Sequence, residues 1–205
     1  MKTKLSRKRA ISTVLTTVII LVSSVVLGSG VVLYGTSLFQ SGTQLESISA
    51  SGLKIWVHTD ATEGLSWGAA KIRNTGDKVL SIDKIQIRGA DVPFSQWYPD
   101  TTVNSTTFQQ ALIFTGWSGV KGFMANSTGI CSDENLQIRI FANGDFCANV
   151  ASGPVSLTPG QAGIIYFKLT NGTITSLDSG ANTSVNVYAG KAGAPQTVTV
   201  EGKSP

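Results

Sequence analysis

The chain has 205 residues, enough for one good-sized domain and a separate segment. Charged residues make up only 14% of it, and Gly, Ser and Thr are abundant, a composition poor for a helical cytosolic protein and suited to an all-β extracellular domain. The net charge of +4 does not describe a nucleic-acid surface: five of the 16 Lys and Arg lie in the first nine residues (Lys2, Lys4, Arg7, Lys8, Arg9), and the rest of the chain has 11 against 12 Asp and Glu, with no basic stripe to displace counterions from phosphates.

From Ala10 to Gln44 there is no charged residue, and Ile11–Phe39 is apolar. As a helix this stretch extends about 43 Å, whereas a bilayer's hydrocarbon core needs about 30 Å, or roughly 20 residues. The preceding basic cluster predicts a cytoplasmic N-terminus and an external C-terminal portion. A secretory signal has an apolar core of only about 7–15 residues, so this run is too long for one. An ordinary single-pass anchor fits the hydropathy. So does a third reading, which uses the junction Arg7-Lys8-Arg9-Ala10-Ile11-Ser12, where a basic cluster and one small residue abut the apolar run.

On those residues, Arg7 to Phe39 resembles the N-terminus of archaeal type IV pilins and, more loosely, of archaellins. The resemblance implies cleavage by a prepilin-type peptidase on the cytoplasmic side, within Arg9-Ala10-Ile11. Ala10 would then be the last leader residue and Ile11 the mature N-terminus. It further implies that the apolar helix is retained, first as a membrane anchor and then as the packed core of a filament. Bacterial type IV pilins usually carry Glu at the fifth mature position; here that position is Leu15, which leaves subunit registry without that charge contact. Ser24 and Gly28 stand at small-xxx-small spacing, with Gly30 nearby, as close helix packing in an apolar medium requires. Small residues are also common in membrane helices of every kind. Thr13, Thr16 and Thr17 are placed to bond back to helix carbonyls.

The expected organisation is therefore α+β: a basic leader at 1–10, an apolar transmembrane or filament-core helix at 11–44, and an extracellular immunoglobulin-like β-sandwich at 45–205. Beyond the polar connector at Gln40–Ser51, period-two alternation predicts half-buried strands around Leu53–Val57, Ile85–Ile87, Leu136–Ile140, Val185–Val187 and Val198–Val200. Ile165–Leu169 reads as a nearly continuous apolar strand. Pro159-Gly160 suits a type II turn, and Asn171-Gly172 predicts a hairpin leading to Ile174. The runs Lys71–Asp77 and Leu157–Gly160 look like turns of immunoglobulin-like domains in archaeal surface filaments. The aromatic-rich stretch Asp91–Asn126 holds Phe94, Trp97, Tyr98, Phe108, Phe114, Trp117 and Phe123; core packing is favoured over a contact surface, since aromatics dominate cores.

Cys131 and Cys147 fall in the portion expected outside the cell, where an even count favours a disulfide over two buried thiols. A bridge would close a loop of about 15 residues and contribute about 3 kcal/mol. Four Asn-x-Ser/Thr sites, Asn104, Asn126, Asn171 and Asn182, are candidate glycosylation acceptors.

Little in the chain points to catalysis. His58, the one histidine, is unaccompanied by a nucleophile-elbow motif and is expected at the surface after a strand. A blue-copper site needs two histidines, the cysteine spacing is not a zinc motif, and Asp133-Glu134 alone is too few oxygens for calcium. No phosphate loop or dinucleotide fingerprint occurs. Paired carboxylates for glycoside cleavage leave no local spacing to read. The expected protein is thus a non-enzymatic filament subunit with no metal and no cofactor, first membrane-inserted and then at the cell surface. The resemblance implies copies of itself, the peptidase, an assembly ATPase and a membrane platform as partners. The alternative is a monomeric, membrane-anchored binding module.

Overall fold

The computed structural model describes residues 4–42, 45–60, 64–114, 136–139 and 145–204. The chain divides into two compact units, Met1–Gln44 and Leu45–Pro205.

The first unit is one helix, α1 (Lys4–Gly42). It begins inside the basic segment rather than at Ile11, because Lys, Leu, Arg and Ala are strong helix formers and neither Pro nor Gly interrupts them. Its apolar residues are distributed all round the axis, without a polar face. Ser12–Leu38 spans 27 residues with a mean hydropathy of 2.3, about 40 Å of apolar helix. The hydroxyls within it do not stay idle: Thr16, Thr17, Ser24, Ser29 and Thr36 each donate to a carbonyl one turn back, at 2.8–3.0 Å. That removes their polar groups from competition with an apolar surround.

The second unit is built from strands: β1 (Ile48–His58), β2 (Ser66–Asn74), β3 (Leu80–Ile87), β4 (Ala90–Asp91), β5 (Trp97–Asp100), the short helix α2 (Ser105–Gln109), β6 (Leu136–Arg139), β7 (Asp145–Ala148), β8 (Val155–Leu157), β9 (Ala162–Lys168), β10 (Asn182–Ala189) and β11 (Ala192–Lys203). Nine strands join in the order β4-β3-β10-β11-β1-β2-β9-β5, with β8 pairing the start of β3 on the edge whose end β4 occupies; β6 and β7 pair separately. The long strand β11 serves two neighbours. Residues 192–199 run antiparallel to β10, and Val200–Lys203 run parallel to β1. The inner faces of the two halves share one core, including Ile55, Ile72, Ile85, Trp97, Phe167 and Val187.

The half made of β1, β2, β9 and β5 is also covered on its outer face. There Trp56, Trp67, Ala69, Tyr98, Ile164 and Tyr166 pack beneath Phe108 of α2 and Leu112. Trp67 meets Tyr98 at 5.3 Å and Trp56 stacks on Tyr166 at 6.3 Å. Burial on both faces is the reason β9 reads as a nearly unbroken apolar run. It also explains why β2 lacks alternation. Gly68 lies opposite Phe167, and a Cβ there would come within 2.3 Å of that ring.

Pro159-Gly160 forms the expected turn, with Gly160 at φ 76° and the Gln161 N–H donating to Thr158 C=O. Asn171-Gly172 does not form a hairpin. It makes a tight turn (Gly172 φ 90°, Thr173 N–H to Thr170 C=O), after which Ile174 plugs the core and the chain crosses to β10. Since β9 lies between β2 and β5, it has no free side for a following strand.

Candidate functional site

The residues singled out in the sequence fall into three groups. The first lies on α1. Arg9, Ala10 and Ile11 are consecutive residues of its helical backbone, and Ser24, Gly28 and Gly30 lie further along it. A Cβ added at Gly28, Gly30 or Gly35 would meet nothing within 4 Å, so these positions leave open space beside the helix. Large apolar side chains around them are exposed, among them Leu21, Val25, Leu27, Val31 and Leu33. Isolated in water, such a surface is unfavourable by roughly 25 cal/mol for each Å².

The second group is the sequons. Asn104 is exposed just before α2, Asn171 is exposed at its turn, and Asn182 opens β10 with its side-chain oxygen accepting from the Thr199 hydroxyl at 2.9 Å. Asn126 lies outside the described residues, as do Cys131, Asp133, Glu134, Trp117 and Phe123. Cys147 is on β7.

The third group concerns chemistry. His58 is buried at the end of β1, only 5% exposed, and not at the surface. Its backbone N–H donates to Leu65 C=O, and its Nδ1 accepts from the Asp60 N–H at 3.0 Å, so the imidazole holds the residues just after β1. Among the described residues, no group of three or more His, Cys, Asp and Glu could hold a metal ion. An open cleft of about 530 Å³ lies between Pro99–Thr102 and Asn149–Ser156. Its carboxylate, Asp100, accepts from the N–H and hydroxyl of Thr102, which makes it part of a turn and not a proton-transfer pair.

The aromatic stretch is largely core: Trp97, Tyr98 and Phe108 are buried, and Trp97 donates its indole N–H to Val92 C=O at 3.0 Å. Burial pushes the Tyr98 and Tyr166 hydroxyls up from their ordinary pKa.

One junction links the two turn motifs read from the sequence. Asn74, fully buried, donates from Nδ2 to Lys78 C=O (2.6 Å) and Leu157 C=O (2.9 Å), and its Oδ1 accepts from the Gly76 N–H (2.9 Å). Its backbone exchanges bonds with Gln161 and Gly160. The same turn receives the start of the domain: Thr75 and Gly76 donate to Ser47 C=O, and Asp77 to Leu45 C=O. Glu46 accepts from the Lys191 N–H. Both motifs are legible in the sequence, but the buried amide that joins them is not; an Asn followed two residues later by Gly is its trace there.

No protein-family model matches the chain, and no curated protein matches it. Among solved structures, a β-glucosidase from Erythrobacter marinus aligns with 76% of this chain and 15% of its own length, at 11% identity and a TM-score of 0.27. That likeness is too slight to bear on fold or activity.

Proposed function

We propose that this chain is the structural subunit of an extracellular type IV pilus-like or archaellum-like filament. The observation that carries the reading is α1: a helix apolar on every side, with small residues at its middle, joined to a β domain that has its own complete core. A helix without a polar face needs an apolar surround at each stage of its life. Lipid supplies it before assembly, and neighbouring copies of the same helix supply it afterwards. In this reading the leader ends at Ala10, cut by a prepilin-type peptidase, and an assembly ATPase with its membrane platform drives polymerisation. The outer unit is an immunoglobulin-like sandwich, a reading supported by opposed halves sharing one core and by the docking of the Leu157–Gly160 turn on the Asn74–Asp77 turn. The filament subunit has no catalytic role.

Electron microscopy of material sheared from the cell surface, with antibody against the β domain, tests this directly. Decorated filaments are the expected result. A chain found only as membrane-held single copies would favour the monomeric anchored binding module instead.

A further inference from the structure

We infer that the outer face of β2 carries an oxyanion-binding site formed by Lys71 and Arg73, with Ser49 and Ser51 beside them.

The site starts from strand periodicity. Lys71 and Arg73 are two apart on β2 and share the face that Trp67 and Ala69 occupy. Both cations stand over the ring of Phe108, Lys71 Nζ at 5.6 Å and the Arg73 guanidinium at 5.1 Å from its centre. An aromatic face attracts each cation but neutralises neither. Two like charges held on one ring repel each other, and a bound anion would relieve that repulsion.

Lys71 is only 9% exposed, an unusual burial for an ammonium with no carboxylate partner among the described residues. One of its protons goes to Gln110 C=O at 3.1 Å, and the other two meet no acceptor among the described residues. Its stem is held in place by a bulge in β1: Gly52 sits at φ 57° where the register shifts, and a Cβ there would come within 2.4 Å of Lys71 Cε. Arg73 Nε is buried with no hydrogen-bond partner among the described residues. Neither side chain forms an ion pair with a described residue. The row of residues across the sheet at Lys71 runs through Ile164 to Asp100, two strands away at about 10 Å. Asp100 is already engaged by Thr102.

Ser49 and Ser51 are the register partners of Arg73 and Lys71, so their exposed hydroxyls lie on the same face as the two cations. Two cations and two hydroxyl donors against an apolar wall match the needs of a sulfate, phosphate or carboxylate group. Free ions and the sulfate or uronate groups of a surface polysaccharide share that chemistry. The site does not depend on the filament reading, because a chain that never polymerised would carry it too.

The test is a titration of the full chain in detergent micelles with inorganic sulfate against chloride at matched ionic strength, followed by NMR. Saturable, one-site shifts of the Arg73 Nε–H and of the amides at 49–52 and 71–73 are expected. Arg73→Gln, which alters a half-exposed side chain, should weaken binding at least tenfold; Ser51→Ala should weaken it a few-fold; Arg88→Gln should leave it unchanged. A sulfated oligosaccharide at equal sulfate concentration separates the sources: tighter binding points to a polymer, equal binding to the free ion. Shifts that grow linearly without saturating, or an Arg73→Gln chain that titrates like the wild type, would overturn the site.

Discussion

Asn74 shows how much one buried amide can carry. Its side chain meets the Lys78 carbonyl and the Gly76 N–H of its own turn and the Leu157 carbonyl at the end of β8. Replacing it with Ala strands the buried Leu157 carbonyl without a donor and takes the half-buried Lys78 carbonyl's partner away. Asn74→Ala should lower the stability of the β domain by about 2–3 kcal/mol, read as a reduced denaturant midpoint. Asn74→Asp should also destabilise it, because a carboxylate cannot donate to either carbonyl. At the other end of the strands, Arg88 occupies the left-handed region (φ 53°) in the turn between β3 and β4 and holds Asp178 at 2.5 Å. The Arg88 hydrogen bond, helped by the N–H and hydroxyl of Thr175, lowers the Asp178 carboxyl from 3.8 to about 2. A depressed carboxyl binds fewer protons folded than unfolded between those values. Its contribution is therefore complete above about pH 4 and is lost as pH falls toward 2. The stability gap between wild type and Asp178→Asn should accordingly be present at pH 6 and shrink on acidification through that window, as measured by denaturation at each pH.

At the scale of elements, strand signals were legible where one face is buried and the other wet. β10 alternates in burial residue by residue, and β3 does so on either side of the exposed pair Asp83-Lys84, where its register with β10 shifts; both are readable as period-two patterns. β2 was not, because it is buried on both faces and its close neighbours force Gly and Ala into it. The Asn171-Gly172 signal was locally correct as a turn but failed as a hairpin, because β9 is already flanked on both sides. Two-sided burial makes a prediction that a half-exposed strand would not. Ile164 and Ile165 point to opposite faces of β9, and both are nearly inaccessible. Ile164→Ala and Ile165→Ala should each destabilise the domain by about 2–5 kcal/mol. Were β9 one-sided, one of the two would be nearly neutral. The helix is the most legible element of all, since an uncharged span of 27 residues with a mean hydropathy of 2.3 leaves little else to form; its extension through the basic segment is not legible, because charge marks a boundary that backbone propensity ignores. Placing a charge at its middle, as in Val25→Arg, should oppose membrane insertion by about 2.5–3.5 kcal/mol. Membrane fractionation, with more of the variant left uninserted, checks this.

At the scale of the whole molecule, the chain combines an apolar rod, whose large side chains are exposed all along it, with a β domain that has a hydrophobic core of its own and, among the described residues, isolated exposed hydrophobics such as Val79 and Leu177. The candidate cleavage junction and the small-residue positions could be read from sequence because they are local in α1. The paired cations over Phe108 could not, since Lys71 and Phe108 are brought together by the packing of α2 over the sheet. Retention of the apolar rod in the finished protein separates a polymerising subunit from an exported domain that discards its leader. N-terminal sequencing of the chain recovered from sheared surface material measures this most directly. A processed filament subunit begins at Ile11, with the rod intact. A soluble, monomeric chain whose sequence begins beyond Gln40 would contradict the filament reading.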